Sequence, residues 1–361
     1  MLKSYLGTRS IKTVMFHNNN LFKLSERRFS SVVPQVKEKS RFKLIFQYRG
    51  TSFVGYQKQN NKGEPCGNTV QMHIEKALHK LFNTEDIYIV GSSRTDAGVH
   101  ALHNTCHFDV DSSIIEKRKN YGEKNILFGL NYYLEGQDIV VCACEKKDFD
   151  FHARHRVKER EYQYRILLVG PRPDISYKIP FIANQYWLLN AVPFLEGAQG
   201  ATLLPPQSAE TSFRLDEMRE ASQLFIGTHD FSNFCKTHIP KHVTRVKNIS
   251  AIDIEEIDIR QNETSSPLFF SVAKCKEIRL TIRGNSFLHN QVRIMVDALV
   301  KVATGKLTGF QIRRALDCPQ VPFHYKGAAP PDGLYLTNIV YHEDGYVPTH
   351  FNDDDDDGCV Q

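Results

Sequence analysis

No stretch of this 361-residue chain approaches 18 consecutive apolar residues, so the sequence offers no membrane-spanning helix. Its 8 cysteines stand at 66, 106, 142, 144, 235, 275, 318 and 359, and none forms a C-x-x-C pair. Neither a zinc ligand set nor a disulfide framework can be read from them, which fits a reducing interior compartment. Cys142 and Cys144 alternate along a predicted strand and are expected on one face. The sequence also lacks a Walker A motif and a dinucleotide-binding fingerprint, which leaves nucleotide cofactors without a recognisable cradle. Acidic residues are scarce at the start, where Glu26 is the first. Lys3, Arg9, Lys12, Lys23, Arg27 and Arg28 occur in the same stretch, with many Ser, Thr and Asn and no apolar h-region. Residues 1–35 therefore read as a mitochondrial presequence with a cleavage neighbourhood at Arg28-Phe29-Ser30, or else as a basic arm that touches RNA.

What remains is ordinary for a globular protein. Hydrophobic residues make up 41% and charged residues 24%, enough for one large or two ordinary domains with a real core. The net charge of +5 includes an acidic run at Asp353–Asp357, expected to be a solvated tail within 346–361. The folded part is thus more basic than the total, which suits a polyanionic partner without requiring one. The 15 histidines are scattered, and His152 with His155 reads as structural or RNA-facing rather than as a metal site.

Periodicity places the elements. Phe42–Tyr48 is a strand by alternation. Asn68 and Gln71 suggest a capping box before a helix carrying Val70, Ile74, Ala77, Leu78, Leu81 and Phe82 on one face. Strands are predicted at 87–90 and 105–110, a helix at 125–134 and a strand at 138–144. Residues 169–212 are broken by prolines, with a short strand at Tyr186-Trp187 and a surface insertion at 197–206. A helix at 213–225, strands at 249–259 and 277–283 with a hairpin tip at 262–267, and a helix with an apolar stripe from Leu288 to Ala303 complete the pattern. Arg293 lies at the edge of that stripe, where a guanidinium either reaches solvent or finds a partner.

The loop between the strands at 87–90 and 105–110 reads Gly91-Ser92-Ser93-Arg94-Thr95-Asp96-Ala97-Gly98-Val99-His100-Ala101. Gly91 and Gly98 give the chain backbone freedom on either side of Arg94 and Asp96. A carboxylate beside a guanidinium is held in its charged form, and a charged, positioned Asp can act as a nucleophile. From the loop alone, the favoured reading is a turn in which Asp96 caps a backbone N–H and Arg94 faces water. Further on, Asp150–Arg165 mixes cations with aromatics: cations reach phosphates and rings stack on bases. Tyr162 and Tyr164 share one strand face there, as two core tyrosines would also do.

Arg94–Ala101 resembles the active-site motif of the TruA family of tRNA pseudouridine synthases, and the longer form from Gly91 to Leu102 is most similar to its mitochondrial "tRNA pseudouridine synthase-like 1" branch. Tyr48–Gln59 resembles the family's first motif, with Arg49 in place of the usual Asp and Tyr56 in place of Trp. Phe151-His152-Ala153-Arg154 and Arg160-x-Tyr162-x-Tyr164 match a second motif. Gly227–Phe234 is similar to the family's Gly-x-x-Asp-Phe-x-x-Phe loop, Gly284–Val296 to a third motif, and Gly333-Leu334-Tyr335-Leu336 to its Gly-Leu-Tyr-Leu strand. The matched segments span 42–341.

The resemblance implies an α+β fold of two related halves, 41–148 and 149–345. Their antiparallel sheets join into one extended sheet, with helices on one face and an RNA-binding cleft on the other. It also implies isomerisation of uridine in tRNA. Asp96 would be the nucleophile, with Arg293 paired to it from the far half. Tyr162 would pack on the base and could take the C5 proton, and Arg94 would fill the vacated space or hold phosphate. Leu336 would pack on the base, and Arg154, Arg160 and Lys58 would bind substrate. No metal or cofactor is called for, because the reaction is close to an isomerisation. The resemblance implies a homodimer and leaves messenger RNA open as a further substrate. Two other readings stand beside it: a catalytically silent RNA-binding protein, and an Asp-nucleophile hydrolase, for which the sequence shows no metal-binding carboxylate set.

Overall fold

Alternation along Lys39–Tyr48 buries Ser40, Phe42, Leu44, Phe46 and Tyr48 and leaves the intervening residues at least partly accessible, the pattern of a strand covered on one face. In the computed structural model, which describes residues 38–61, 64–118, 120–169, 184–190, 213–236, 240, 243–258, 275–325 and 327–343, this strand is β1. The expected presequence at 1–35, the insertion at 197–206, the hairpin tip at 262–267 and the acidic tail lie outside the described residues.

Elements up to residue 147 are β1, a small hairpin β2–β3 (Gln59–Asn61 and Glu64–Cys66), α1 (Val70–Phe82), β4 (Ile89–Gly91), β5 (His100–Asp111), α2 (Ser112–Glu116), α3 (Glu123–Tyr133) and β6 (Ile139–Lys147). After them come β7 (Val157–Val169), β8 (Trp187–Asn190), α4 (Leu215–Ser222), β9 (Gly227–Asp230), β10 (Val246–Asp258), β11 (Cys275–Gly284), α5 (Gln291–Ala303), α6 (Gly309–Asp317) and β12 (Leu334–Tyr341). The predicted elements are present with shifted ends. The helix expected over 213–225 stops at Ser222 and tightens into a 3-10 turn, Gln223–Phe225.

One open, mostly antiparallel sheet runs β6-β1-β5-β12-β7-β11-β10-β9, with β4 beside β5 and β8 beside β7. The two parts of the chain join where β12 inserts between β5 and β7. Its contact with β5 is parallel and short, Tyr335 opposite His100 and Leu336 opposite Ala101, while it pairs antiparallel with β7 from Leu334 onward. The Tyr341 hydroxyl closes the far end of the join, bonding the Thr105 hydroxyl and donating to the Ala153 carbonyl (3.0 Å). Helices α1, α3, α4, α5 and α6 contribute to a single hydrophobic core with the sheet. α5 is buried almost all round, since Val292, Ile294, Met295, Val296, Ala298, Leu299, Val300, Val302 and Ala303 all lie inside. A helix this apolar must sit at the centre of its layer. Its remaining stripe is Arg293, Asp297 and Lys301 at i, i+4 and i+8.

Two local expectations change. The N-cap of α1 is Thr69, whose hydroxyl accepts from Met72 N (3.3 Å); Gln71 instead accepts from Lys58 N (3.0 Å) and Asn68 donates to the Ser52 carbonyl (2.9 Å). Cys142 and Cys144 do not share a face. The β1–β6 register shifts between Ile45 and Phe46, so Ile45 faces Ala143 while Phe46 faces Val141. That extra residue turns Cys142 outward and Cys144 against the core, where burial pushes its thiol up to about 12. His152 and His155, by contrast, take the structural part expected of them, in a turn. The Nδ1 of His152 accepts from Arg154 N (3.2 Å) and His155 N (3.1 Å), and no metal-binding group occurs among the described residues.

A third difference concerns the whole sheet. Tyr162, Tyr164, Ile166 and Leu168 of β7 face the core, in register with Ile282, Leu280 and Ile278 of β11. Glu161, Gln163 and Arg165 point the other way into a polar network in which Arg283 bridges Glu161 and Asp253 (2.7 Å each). The cavity described below is lined by Tyr162 and Leu334, on the core side. The cleft therefore opens on the helix-bearing face rather than the opposite one, since Tyr162 and Leu334 wall it together with Val292 and Arg293 of α5.

Candidate active site

The Asp96 loop is held by the motifs that precede and follow it. From the first motif, the Tyr48 hydroxyl bonds Thr95 Oγ1 (2.8 Å), Tyr56 N donates to the Thr95 carbonyl (3.1 Å), and Gly98 N donates to the Phe53 carbonyl (3.3 Å). Asn104 ties the loop to its own return strand, accepting from the Ser92 hydroxyl (3.0 Å) and donating to the Ser93 carbonyl (3.3 Å). Gly98 has φ +80°, a region that a residue with a Cβ rarely enters, so its expected freedom is used. Gly91 is required for space instead. A Cβ there would lie 2.3 Å from the Tyr56 Oη, within the buried ring of Tyr56. Gly91→Ala is expected to lower stability by about 1–3 kcal/mol through that overlap, read as a drop in melting temperature.

The second motif also serves the loop. Arg160 donates from one nitrogen to the Ser92 carbonyl and from another to the Asn285 carbonyl of the third motif, both at 2.6 Å. Arg154 donates to the Gly91 carbonyl (3.4 Å). Both guanidiniums are thus anchored on loop carbonyls. Lys58 lines the cavity, and its ammonium forms an ion pair with Glu75, a buried carboxylate of α1 that also accepts from Ile89 N (3.1 Å).

Above the loop is a cavity of about 350 Å³, within the range of small-ligand sites. Asp96, Arg94, Tyr162 and Arg293, distant in sequence, all line it. Arg293 Nη1 stands 3.7 Å from Asp96 Oδ2, so the expected partnership across the sheet is present as an ion pair. The same guanidinium donates to the Ala329 carbonyl (2.6 Å) and to Asn290 Oδ1 (3.1 Å). The Tyr162 hydroxyl bonds Ser93 Oγ (3.0 Å), and its ring meets Phe287 edge-on at 5.1 Å. Burial pushes the Tyr162 phenol above the usual tyrosine range against the Ser93 hydrogen bond and the Arg160 charge, so it is neutral at physiological pH.

Leu336 sits opposite Tyr162 in the β12–β7 ladder with no exposed surface, and Leu334, two residues earlier on the same face, is the one that lines the cavity. Among the other residues that line it are Leu334, Phe287, Lys247 and His289, which the sequence pattern does not distinguish from their neighbours. Leu334, Phe287 and His289 lie inside the motifs at 333–336 and 284–296. Only the strand and helix geometry tells which side chain of the stretch faces the opening. His289 is the most consequential, since its Nε2 is 3.4 Å from Asp96 Oδ1.

A cleft with one carboxylate among Arg94, Arg293, Lys58 and Lys247, floored by an aromatic ring, is built for an anionic substrate with a planar group. Comparison with known proteins agrees with that chemistry. The family model described as tRNA pseudouridine synthase matches residues 44–155 and 221–342, which include the Asp96 loop, Tyr162's neighbouring motif His152–Arg154, and α5. The chain is 32% identical over 306 residues to tRNA pseudouridine synthase A 1 of Bacillus cereus, covering 84% of this chain and 99% of that protein. It is 31% identical over 307 residues to tRNA pseudouridine synthase A of Roseobacter denitrificans (83% and 95%) and 29% identical over 305 residues to that of Anaplasma phagocytophilum (83% and 100%). With 84% of this chain and 99% of a 32% identical relative covered, and a family model that spans both parts of the sheet, this chain belongs to the tRNA pseudouridine synthase family.

Proposed function

We propose that this protein isomerises uridine to pseudouridine in tRNA, with Asp96 as the nucleophile. One observation carries the reading: the Asp96 carboxylate stands at a cavity walled by Tyr162 and Leu334, with a cation or imidazole beside each oxygen. The C1′–N1 bond is inaccessible in a stacked helix, so the nucleotide must be flipped into the cavity. Asp96 then attacks C1′ and N1 leaves; the base turns, and C5 bonds to C1′ as the Asp96 oxygen departs. C5 loses one proton and N1 gains one, so the reaction balances without a co-reactant.

 Tyr162, held neutral, stacks on the flipped uracil and is a poor acceptor for the C5 proton. Arg94 fills the space the base leaves or holds a phosphate. Arg154 and Arg160 act on the substrate through the loop they anchor, and Lys58 lines its rim. Leu336 supports Tyr162 from the neighbouring strand, while Leu334 meets the base.

The twelve-residue form of the loop motif supports the mitochondrial branch of the family, and the basic, acid-poor composition of residues 1–35 supports a matrix location. Mapping pseudouridine in mitochondrial and total RNA from cells with and without this protein tests both. One or more tRNA uridines are expected to lose the modification in the mitochondrial pool. An unchanged map in both pools would reject the function, and losses confined to cytosolic RNA would reject the location.

A further inference from the structure

The third motif places a group beside Asp96 that the reaction scheme above leaves unused. His289 precedes α5, and Asn290, in a left-handed conformation at φ +61°, turns the chain between that imidazole and the helix. The His289 backbone is fixed by Lys236 N, which donates to its carbonyl (3.0 Å). Its side chain is mostly buried and lines the cavity, with Nε2 3.4 Å from Asp96 Oδ1, while Arg293 Nη1 stands 3.7 Å from Oδ2. The carboxylate thus has a permanent cation on one oxygen and a titratable group on the other.

We propose that His289 is a positioning residue for Asp96: its neutral imidazole holds Oδ1 and fixes the carboxylate for attack, and its protonation at acid pH disables the nucleophile. The inference rests on the Asp96 reading above. Two states of the ring have opposite effects. A neutral ring with its proton on Nε2 orients the carboxylate and leaves its charge available. A protonated ring adds a second full positive charge at Asp96 and makes the carboxylate a weaker nucleophile.

The charged groups that share the cavity with the ring are Asp96 and Arg94 on the loop, Arg293 on α5, Lys58 before β2 and Lys247 on β10, and Lys236 after the 3-10 turn Ser232–Phe234 also acts on it. Burial holds the imidazole below its usual range. Asp96 pulls it up, and Lys236 and Arg293 push it down. The sign follows: above that lowered value the ring is neutral and the enzyme active, and activity falls as pH drops through it.

The test uses the full-length protein and tRNA transcripts carrying uridine tritiated at C5, with single-turnover tritium release measured across pH and RNA binding measured separately. His289→Ala is expected to slow release about 10- to 100-fold at neutral pH with RNA affinity unchanged. His289→Gln keeps an N–H donor but cannot be protonated. It is expected to recover much of the rate and to lose the acid limb that the wild-type profile shows. An acid limb in His289→Gln identical to wild type would overturn the proposal, as would an unchanged rate in His289→Ala. A fall in melting temperature with the pH profile intact would assign His289 a structural role and also overturn it. Asp96→Ala run alongside separates the two readings: an inactive Asp96→Ala beside unaffected His289 variants sinks only this inference, whereas an active Asp96→Ala sinks the nucleophile.

Discussion

Asp96→Asn protein is expected to release no measurable tritium from C5-labelled tRNA while binding that tRNA within about threefold of wild type. The substitution is isosteric and removes the attacking oxygen's charge without emptying the cavity. Loss of a covalent nucleophile costs on the order of 10⁴-fold or more in rate. Binding is spared because, among the described residues that line the cavity, Asp96 is the one carboxylate beside several cations, so removing it takes away nothing that attracts phosphate. Stability should change little, since the carboxylate's contacts with Arg293 and His289 are long, 3.7 and 3.4 Å, and a quarter of its side chain is exposed. Retained turnover by a purified Asp96→Asn or Asp96→Ala protein would end the nucleophile assignment.

Arg293→Ala should lose both activity and stability. Its guanidinium makes two hydrogen bonds besides the ion pair, at 2.6 Å to the Ala329 carbonyl and 3.1 Å to Asn290 Oδ1, and Ala329 N donates back to the Arg293 carbonyl (3.0 Å). Residue 329 lies just before β12, the strand that joins the two parts of the sheet. Removing the side chain therefore loosens the approach to that join and leaves the Ala329 carbonyl without its charged donor. A hydrogen bond from a charged group contributes about 1.5–3 kcal/mol, which in a protein of this size lowers the melting temperature by several degrees. The rate should fall about 10- to 100-fold, because Asp96 Oδ2 loses its cation. Arg293→Lys separates the two effects. An ammonium restores charge near Asp96 but cannot reproduce the fork that reaches Ala329 and Asn290 together, so activity should recover further than stability. Kinetics and melting temperature both unchanged in Arg293→Ala would remove the pairing from the mechanism.

The two predictions draw on different kinds of information. Asp96 was legible because its loop is a local string: glycines, an arginine and a carboxylate between two β-branched runs. Strand β1 and helices α1 and α5 were legible for the same reason, since burial on one face imposes a period of two or of 3.6 on neighbouring residues. The resemblance added roles to positions that the pattern alone left as core or turn. Arg293 could be placed at the edge of an apolar stripe, but a stripe does not say what stands opposite it.

What the sequence determined by itself was the set of elements and the short motif that carries the carboxylate, because both depend on residues within a few turns of one another. Tertiary structure alone decided the parallel contact of β5 with β12, the helix-bearing face as the site of the cleft, and the placing of Leu334 and His289 toward the opening. It also turned Cys142 and Cys144 apart and made Gly91 a matter of space against Tyr56. Each of these turns on a pairing register or a contact between segments far apart in the chain, and a side chain's direction there is set by what it meets, not by its neighbours in sequence.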